Sequence, residues 1–584
     1  MGTFQRVARG KARTANLPSE SANATVNRAG GVAFEVKDPS LKLVTMTGGA
    51  FFAEPRFYNA EVCIPKRGTS GKFSKLEARL NLVDDKLKGV VSCKELDEVA
   101  REVIATALDV AGGKNPQDLL AIANWLRNEM NIRLTPQVLL VLASRMGATK
   151  SLVRLYAPHI VKRPDEVKTC LLTHRFFFGM KSLSNGLNMG LGDAVSRFGE
   201  RGLMKYDSPD FPTWKDVLCW IRREKDWPLK SEVAKYFISG QVVDESKTPV
   251  IAARKALAKK TVFDAEAKRL AKTSMVNWEV LLSQFKDEKK ALWEFLISEE
   301  LLGYMSLLRN LRNILGARVD AKLIEQVSAK ISSKDEVLKS KQLPFRFLSA
   351  LRSLQDMDTQ ACDVSELNEL SAAVELASNE ACANIPRLPG VTAIFADNSG
   401  SMDSPVSEKS TVSCKDAANV LCGIVAKVAE KPYVVAFGTN AAAVKFTKND
   451  TVLGIAEKVR NTDIGGYSTN GHRCVEWLER NGLTPDRCIF LSDMQMWNDG
   501  SCGEANFANA WKKFKSRKGA KDAWLHSIHL NGYGDNVVDD GDRVNQVAGF
   551  SEKVFTMLLQ TEGTVTAQAL PTVEQIRGKW TVKA

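Results

Sequence analysis

The hydrophobic period changes once along this 584-residue chain, at IPRLPG (385–390), and that change constrains the fold more than any single motif. Before it, DLLAIANWLRNEM, SEVAKYFISG and LLGYMSLLRNLRNIL carry apolar residues at three- and four-residue spacing, the period of helices with one buried face. After it, VTAIFAD, YVVAFG (433–438), RCIFLSD (487–493) and WLHSIHL (524–530) are short runs that are apolar throughout. They alternate with the helical runs KDAANVLCGIVAKVAEK, LGIAEKVRN, CVEWLERNG and NFANAWKKFKSRKG. Strands that are apolar on both faces and separated by helices indicate a parallel sheet covered on both sides. The length also exceeds what one core serves. The expected division is a non-periodic basic tail over 1–38, helices over 39–385 and an α/β domain over 386–584.

Helix starts in the first part are marked. Thr135 reads as an N-cap with Pro136 at the first helical position, and Thr213 opens a helix with Asp216 three residues on. Ser333-Lys334-Asp335-Glu336 reads as a capping box. Many such helices joined by short loops suggest stacked helix pairs, although no exact sequence period marks a named repeat.

Charge is distributed as unevenly as pattern. The net charge is +13, yet from Arg387 onward 23 Lys and Arg face 22 Asp and Glu. The first 386 residues hold 58 against 46, so the helical part carries +12. A polyanion such as RNA is the functional reading of that excess; a solubilising surface is the competing one. The eleven cysteines are scattered and form no C-x-x-C pair, which points to reduced thiols in a cytoplasmic protein. No apolar stretch reaches the roughly 20 residues of a membrane span, and MGTFQRVARGKART has no apolar signal core, so no membrane partner is expected.

The chemistry-bearing stretch is FADNSGSMDSP (395–405). Asp397 lies at the carboxyl end of a strand, and so does Asp493 after RCIFLS. In an open α/β sheet, ligands collect beyond those ends. The loop IGGYSTNG (464–471) adds Ser468 and Thr469. Two carboxylates with several hydroxyls are hard oxygen donors, a set suited to Mg²⁺ or a similar divalent cation. A short D-x-S-x-S read alone is more often a strand end; three pieces on three loops favour a site. Enzyme readings are weaker. Ser399 lacks a G-x-S-x-G elbow, and His526 and His529, three apart on a strand, fall on opposite faces and read as structural.

The oxygen set resembles the metal-ion-dependent adhesion site of von Willebrand factor A domains. The resemblance carries the metal-ligand roles onto Asp397, Ser399, Ser401, Thr469 and Asp493, with Ser468 as a substitute for Thr469. DNSGSM, YVVAFG, GGYSTNGHRCVEW and FLSDMQMW further resemble, in order, segments of the Ro autoantigen (Ro60-type) family. LVTMTGGAFFAEPRFYN, LLRNLRNIL and LPFRFLSALRSL extend the likeness over roughly residues 40 to 565. What the resemblance implies is a ring of HEAT-like helical repeats, the TROVE module, closed by the A domain in a monomer. It implies binding of small noncoding Y-like RNA and of the 3′ ends of misfolded RNA, as a non-catalytic scaffold in RNA quality control. A 3′-to-5′ exoribonuclease is an expected partner. The basic residues put forward for RNA are Lys181, Arg197, Arg201, Lys205, Lys215, Arg222, Arg309 and Arg312. One departure stands out: the family's basic central helix matches SNGLNMGLGDAVSRFGERG (184–202), whose first half has no Lys or Arg. Trp214 stands where the family has a His and reads as a helix-start packing residue. The alternative function is a protein-binding adaptor whose metal site grips an acidic residue of a partner. A phosphoryl-transfer enzyme is the weakest reading.

Overall fold

The computed structural model describes residues 24–26, 32–34, 36–48, 98–179, 182–221, 231–241, 244–342, 344–406, 412–493, 507–530, 538, 543–549, 554–562 and 573–582. They fall into two compact units. One is drawn from 54–342, 350–377 and 571–584, the other from 1–53, 343–349 and 378–570. No helix among the described residues is long and apolar enough to cross a membrane.

The first unit is helical. TPQVLLVLA forms the helix Thr135–Ala143, in which all nine residues are buried. It has no polar stripe because neighbours cover it on every side. Leu119, Leu120, Ile122, Trp125 and Leu126 of the preceding helix, Asp118–Asn128, are fully buried as well. Each such large apolar side chain contributes about 1.5–3 kcal/mol on removal from water.

The start signals hold to different degrees. Thr213 and Asp216 form a complete box: Asp216 N–H donates to Thr213 Oγ1 at 3.2 Å and Thr213 N–H to Asp216 Oδ2 at 2.8 Å. Ser333 forms the forward half, accepting from Glu336 N–H at 3.5 Å. Thr135 is not a cap; it is the first helical residue, behind an already αR Leu134 whose carbonyl accepts from Val138 N–H. Trp214 is buried and its indole N–H donates to the Leu203 carbonyl at 3.0 Å, which fits a packing role.

The glycine-rich stretch explains its own lack of basic residues. Its helix, Asn185–Val195, lies against Val153–Ile160. A Cβ on Gly190 would stand 2.6 Å from Ala157 Cβ and 3.1 Å from Arg154 Cα. A Cβ on Gly186 would stand 2.8 Å from the Lys150 carbonyl. This face is pressed backbone to backbone, so it presents no long side chains. Arg154 Nε closes the pair onto Asp193 at 2.9 Å.

The expected boundary assigned 571–584 to the α/β domain. The helix Val573–Trp580 instead packs on Asp118–Asn128 in the helical unit. Within the expected tail, Ala24–Val26 and Val32–Phe34 pair as antiparallel strands; residues 1–23, 27–31 and 35 lie outside the described residues.

The second unit holds a six-stranded sheet. Its strands are β1 (Leu388–Asp397), β2 (Ala429–Phe437), β3 (Ala441–Ala443), β4 (Arg487–Ser492), β5 (Trp524–His529) and β6 (Val544–Ala548). They lie in the order β3-β2-β1-β4-β5-β6, parallel throughout except for the antiparallel edge strand β3. All six residues of β4 are buried, as an apolar run between two covered faces requires. Phe395 of β1 stacks on Phe490 of β4 with ring centroids 4.5 Å apart, and Phe507 meets Phe490 edge-on at 4.6 Å. At the opening edge of the sheet, Arg487 forms a bidentate pair with Glu562 (2.6 and 2.7 Å), and His526 Nε2 bonds the same carboxylate at 2.8 Å. His526 Nδ1 meets the Asn545 amide at 3.1 Å, so the ring is neutral with its proton on Nε2. That network makes His526 a structural residue.

Candidate functional site

In this strand order, connections leave β1 towards opposite sides of the sheet, so β1 and β4 are neighbours that diverge at their carboxyl ends. That divergence is the place where such sheets take ligands. Asp397 ends β1 and Asp493 follows β4, so the two carboxylates flank that point.

The loop after β1 is held by its own aspartate. Asp397 Oδ1 accepts from Ser399 N–H at 2.9 Å, and Asp397 Oδ2 accepts from Ser492 Oγ at 2.6 Å. Ser399 Oγ lies 3.2 Å from Ser401 Oγ. Asn398 N–H donates to the Phe437 carbonyl of β2, and Gly400 N–H donates to the Tyr467 carbonyl at 3.1 Å. The last bond ties the D-x-S-x-S turn to the IGGYSTNG loop and so brings Thr469 to the same rim. The second loop is fixed in turn by Asn440 N–H to the Ile464 carbonyl at 2.7 Å and Thr439 N–H to the Gly466 carbonyl at 3.2 Å. Gly466 has φ +136, and a Cβ there would stand 2.6 Å from Thr439 Oγ1, so the turn admits only glycine.

Asp397, Ser399, Thr469 and Asp493 are buried, whereas Ser401 is exposed. Burial raises the Asp397 carboxyl to about 6, the negative charge of Asp493 adds to the rise, and the bonds from Ser399 and Ser492 offset part of it. Two carboxylates close together in a low dielectric repel each other, and a cation between them would relieve that repulsion. Among the described residues no group of three or more His, Cys, Asp or Glu comes together. The donors here are therefore oxygen only, two carboxylates and hydroxyls, and they fit a hard divalent ion and not a thiolate- or imidazole-seeking one. Ser492 is absent from the sequence-derived set although it holds Asp397; its signal was its place just before Asp493 in FLSD.

The residues put forward for RNA divide. Lys181 and Arg222 lie outside the described residues. Arg197 is engaged: its guanidinium donates to the carbonyls of Pro158 and Val161, the latter at 3.2 Å, at the carboxyl end of Val153–Ile160. There it satisfies carbonyls that the helix leaves open. Arg201 and Lys205 are exposed one turn apart on Glu200–Lys205, with Lys205 Nζ 5.5 Å from the Tyr206 ring centroid. Lys215 is exposed on Trp214–Trp220. Arg309 and Arg312 are exposed three residues apart on Tyr304–Gly316, one solvent face of one helix.

Together these features define a class: a helical module joined to a von Willebrand factor A-type α/β domain with an oxygen-lined rim. The TROVE domain family matches residues 250–403, and the Ro60 vWA domain family matches residues 392–560 directly after it. The chain belongs to the Ro60-type family. It is 26% identical over 270 residues to RNA-binding protein RO60 of Caenorhabditis elegans, a match spanning 45% of this chain and 41% of that protein. It is 24% identical over 337 residues to telomerase protein component 1 of Mus musculus, spanning 48% of this chain and 13% of that one. The chain thus spans less than half the length of either relative. The crystal structure of the Deinococcus radiodurans RO (RSR) protein aligns over 91% of this chain and all of that one, with a TM-score of 0.58 and 17% identity, a likeness of fold.

Proposed function

We propose that this protein binds noncoding RNA through exposed cations of its helical unit and acts as a scaffold in noncoding-RNA quality control, without catalysing a reaction itself. The observation that carries this is the segregation of charge: 58 Lys and Arg against 46 Asp and Glu before Arg387, near balance after it. Arg201, Lys205, Lys215, Arg309 and Arg312 turn part of that excess to solvent. The relative named RNA-binding protein RO60 supports the same reading.

The finer form of the proposal covers Y-like RNA and unpaired 3′ ends of misfolded RNA, handed on to a 3′-to-5′ exoribonuclease. The glycine-packed helix Asn185–Val195 cannot present a basic stripe, so contact falls to cations spread over several helices. Scattered phosphate contacts make affinity steeply salt-dependent, and unpaired bases add stacking. In the α/β unit, Asp397, Ser399, Ser401, Thr469 and Asp493 would hold Mg²⁺, which would supply an electrophilic position for recognition or rigidity. The test is titration of a structured RNA, with and without a single-stranded 3′ tail, from 50 to 200 mM salt. The expected result is tighter binding of the tailed RNA and a fall of at least about tenfold over that range. Affinity indifferent to both tail and salt would refute the reading.

A further inference from the structure

Tyr467 is 75% exposed, the highest value among the exposed large apolar side chains of the described residues. Its surroundings make that exposure unusual. The backbone beneath it is fixed by the bonds from Gly400, Thr439 and Asn440 and by two left-handed glycines, Gly465 and Gly466. A Cβ on Gly400 would stand 3.8 Å from Tyr467 Cβ, so the tyrosine rises directly beside the D-x-S-x-S turn. Lys415 Nζ lies 5.8 Å from its ring centroid and pairs with Asp403 at 2.8 Å. The solvent-facing groups around the candidate ligands are therefore the Ser401 hydroxyl, the Tyr467 ring and the Lys415–Asp403 pair.

A large aromatic on a rigid loop, with two side-chain torsions to fix, loses little entropy on contact. Solvent exposure of that ring contributes nothing to the fold. Such residues anchor protein interfaces. The charges decide which partner fits. The half of the chain that holds this rim is near neutral, Asp403 and Asp463 are exposed on the rim, and its cation Lys415 is already neutralised. RNA would bring a phosphate at every nucleotide against those aspartates. A protein segment needs to bring only one carboxylate.

We infer that Tyr467, with Ser401 and the Lys415–Asp403 pair, forms a docking surface for a protein segment that sets one Asp or Glu over the metal position and an adjacent apolar side chain on the tyrosine ring. This inference rests on the metal reading of the rim and is independent of RNA binding by the helical unit.

The test places p-benzoylphenylalanine at Tyr467 in the full-length chain, in cells and in native extract, with the same replacement at exposed Leu376 as control. After irradiation the adducts are mapped by mass spectrometry. The mapped segment, made as a peptide, is then used as competitor with and without its acidic residue. The expected result is a protein adduct at least about tenfold above the Leu376 control, containing an Asp or Glu beside an apolar residue. Chelation and Ser401→Ala, which leaves the Asp397 bonds in place, should each reduce it by a similar factor. Competition should require the acidic residue. Adducts to RNA, no excess over the control, an adduct unchanged by chelation, or competition by the peptide lacking its acid would each overturn the inference. RNA affinity of the same preparation reports separately on the helical unit. Tyr467→Ala should keep the thermal midpoint of the parent, which excludes misfolding as the cause of lost capture.

Discussion

Arg577 sets both arms of its guanidinium on the Asp118 carboxylate, Nε at 2.7 Å and Nη2 at 2.8 Å, across 459 residues of chain. Around that fork, Asn124 Nδ2 donates to the Trp580 carbonyl at 2.9 Å and Val582 N–H to Tyr156 Oη at 3.1 Å. The last helix of the described chain is thus an integral part of the helical unit. Asp118 is 2% exposed and Arg577 is 32% exposed at the side chain. Arg577→Ala would leave a buried carboxylate without its cation. Removing one partner of a fully buried pair costs about 3–5 kcal/mol, and the part-exposure of Arg577 lowers that to about 2 kcal/mol here. Urea unfolding followed by far-ultraviolet circular dichroism should show that loss in the helical transition, while Arg577→Lys should recover only part of it.

Gly190 gives a prediction whose sign is opposite to the usual one. Glycine to alanine within a helix ordinarily gains about 0.5–1 kcal/mol. At Gly190 the new Cβ would press on Ala157 and on the backbone of Arg154. Gly190→Ala should therefore destabilise by about 1–3 kcal/mol. Gly316, with nothing within 4 Å of the corresponding position, should accept alanine without loss. Comparison of the two thermal midpoints checks the close packing of Asn185–Val195 on Val153–Ile160.

The two kinds of arginine in the helical unit should separate in experiment. Arg309→Ala and Arg312→Ala remove exposed cations and should leave stability within about 0.5 kcal/mol of the parent. Each should weaken RNA binding uniformly across sequences and lower the salt slope by about 0.7–1. Arg197→Ala should instead lower the unfolding midpoint, because the Pro158 and Val161 carbonyls lose their donor.

That contrast marks how far the sequence could be read. The switch of period at 385–390 located the sheet, because a strand buried on both faces has no other pattern, and RCIFLS is buried at every position. Asp397 and Asp493 were legible as a pair because both end such strands, and strand ends in an α/β sheet share one rim. Composition could not tell Arg197 from Arg201: the difference lies in a helix end 36 to 39 residues away in the chain. Nor does VEQIRGKW, an ordinary amphipathic stretch, encode that it returns to Asp118. Long-range partners of this kind are set by the folded arrangement and leave no local period.

The rim should respond to metal in a way that buried carboxylates alone would not. With no ion, the Asp397 and Asp493 charges repel in a site that burial already makes unfavourable for them. A ligand bound only to the folded state stabilises it by about 2.7 kcal/mol at one hundred times its dissociation constant. Mg²⁺ should raise the unfolding midpoint of the α/β unit, and Asp397→Asn should abolish that rise while costing little in chelator. The side-chain amide keeps an acceptor for Ser399 N–H and removes the repulsion. Differential scanning calorimetry with and without Mg²⁺ on both proteins decides it. An equal rise in the variant would remove Asp397 from the ligand set.

His174 supplies a pH dependence with a definite sign. It is buried, its Nε2 lies 3.0 Å from Arg145 Nη2, and burial with the Arg145 charge lowers its pKa to about 3. The ring is therefore neutral, with Nε2 accepting from the guanidinium and the proton on Nδ1. In the unfolded chain a histidine titrates near 6.5. Between those two values the unfolded state binds a proton that the folded state does not, so ν of the unfolded state exceeds that of the folded state and stability rises with pH. The contribution is fully present above about 6.5 and is lost progressively as pH falls towards about 3. Urea midpoints of the helical transition should fall between pH 7.5 and pH 5, a window in which most carboxylates stay ionised. His174→Gln retains an acceptor for Arg145 but cannot take up the proton in the unfolded chain. It should flatten that slope, with the difference between parent and variant growing as pH drops below 6.5. Parallel curves for the two proteins would show that His174 is not the group responsible.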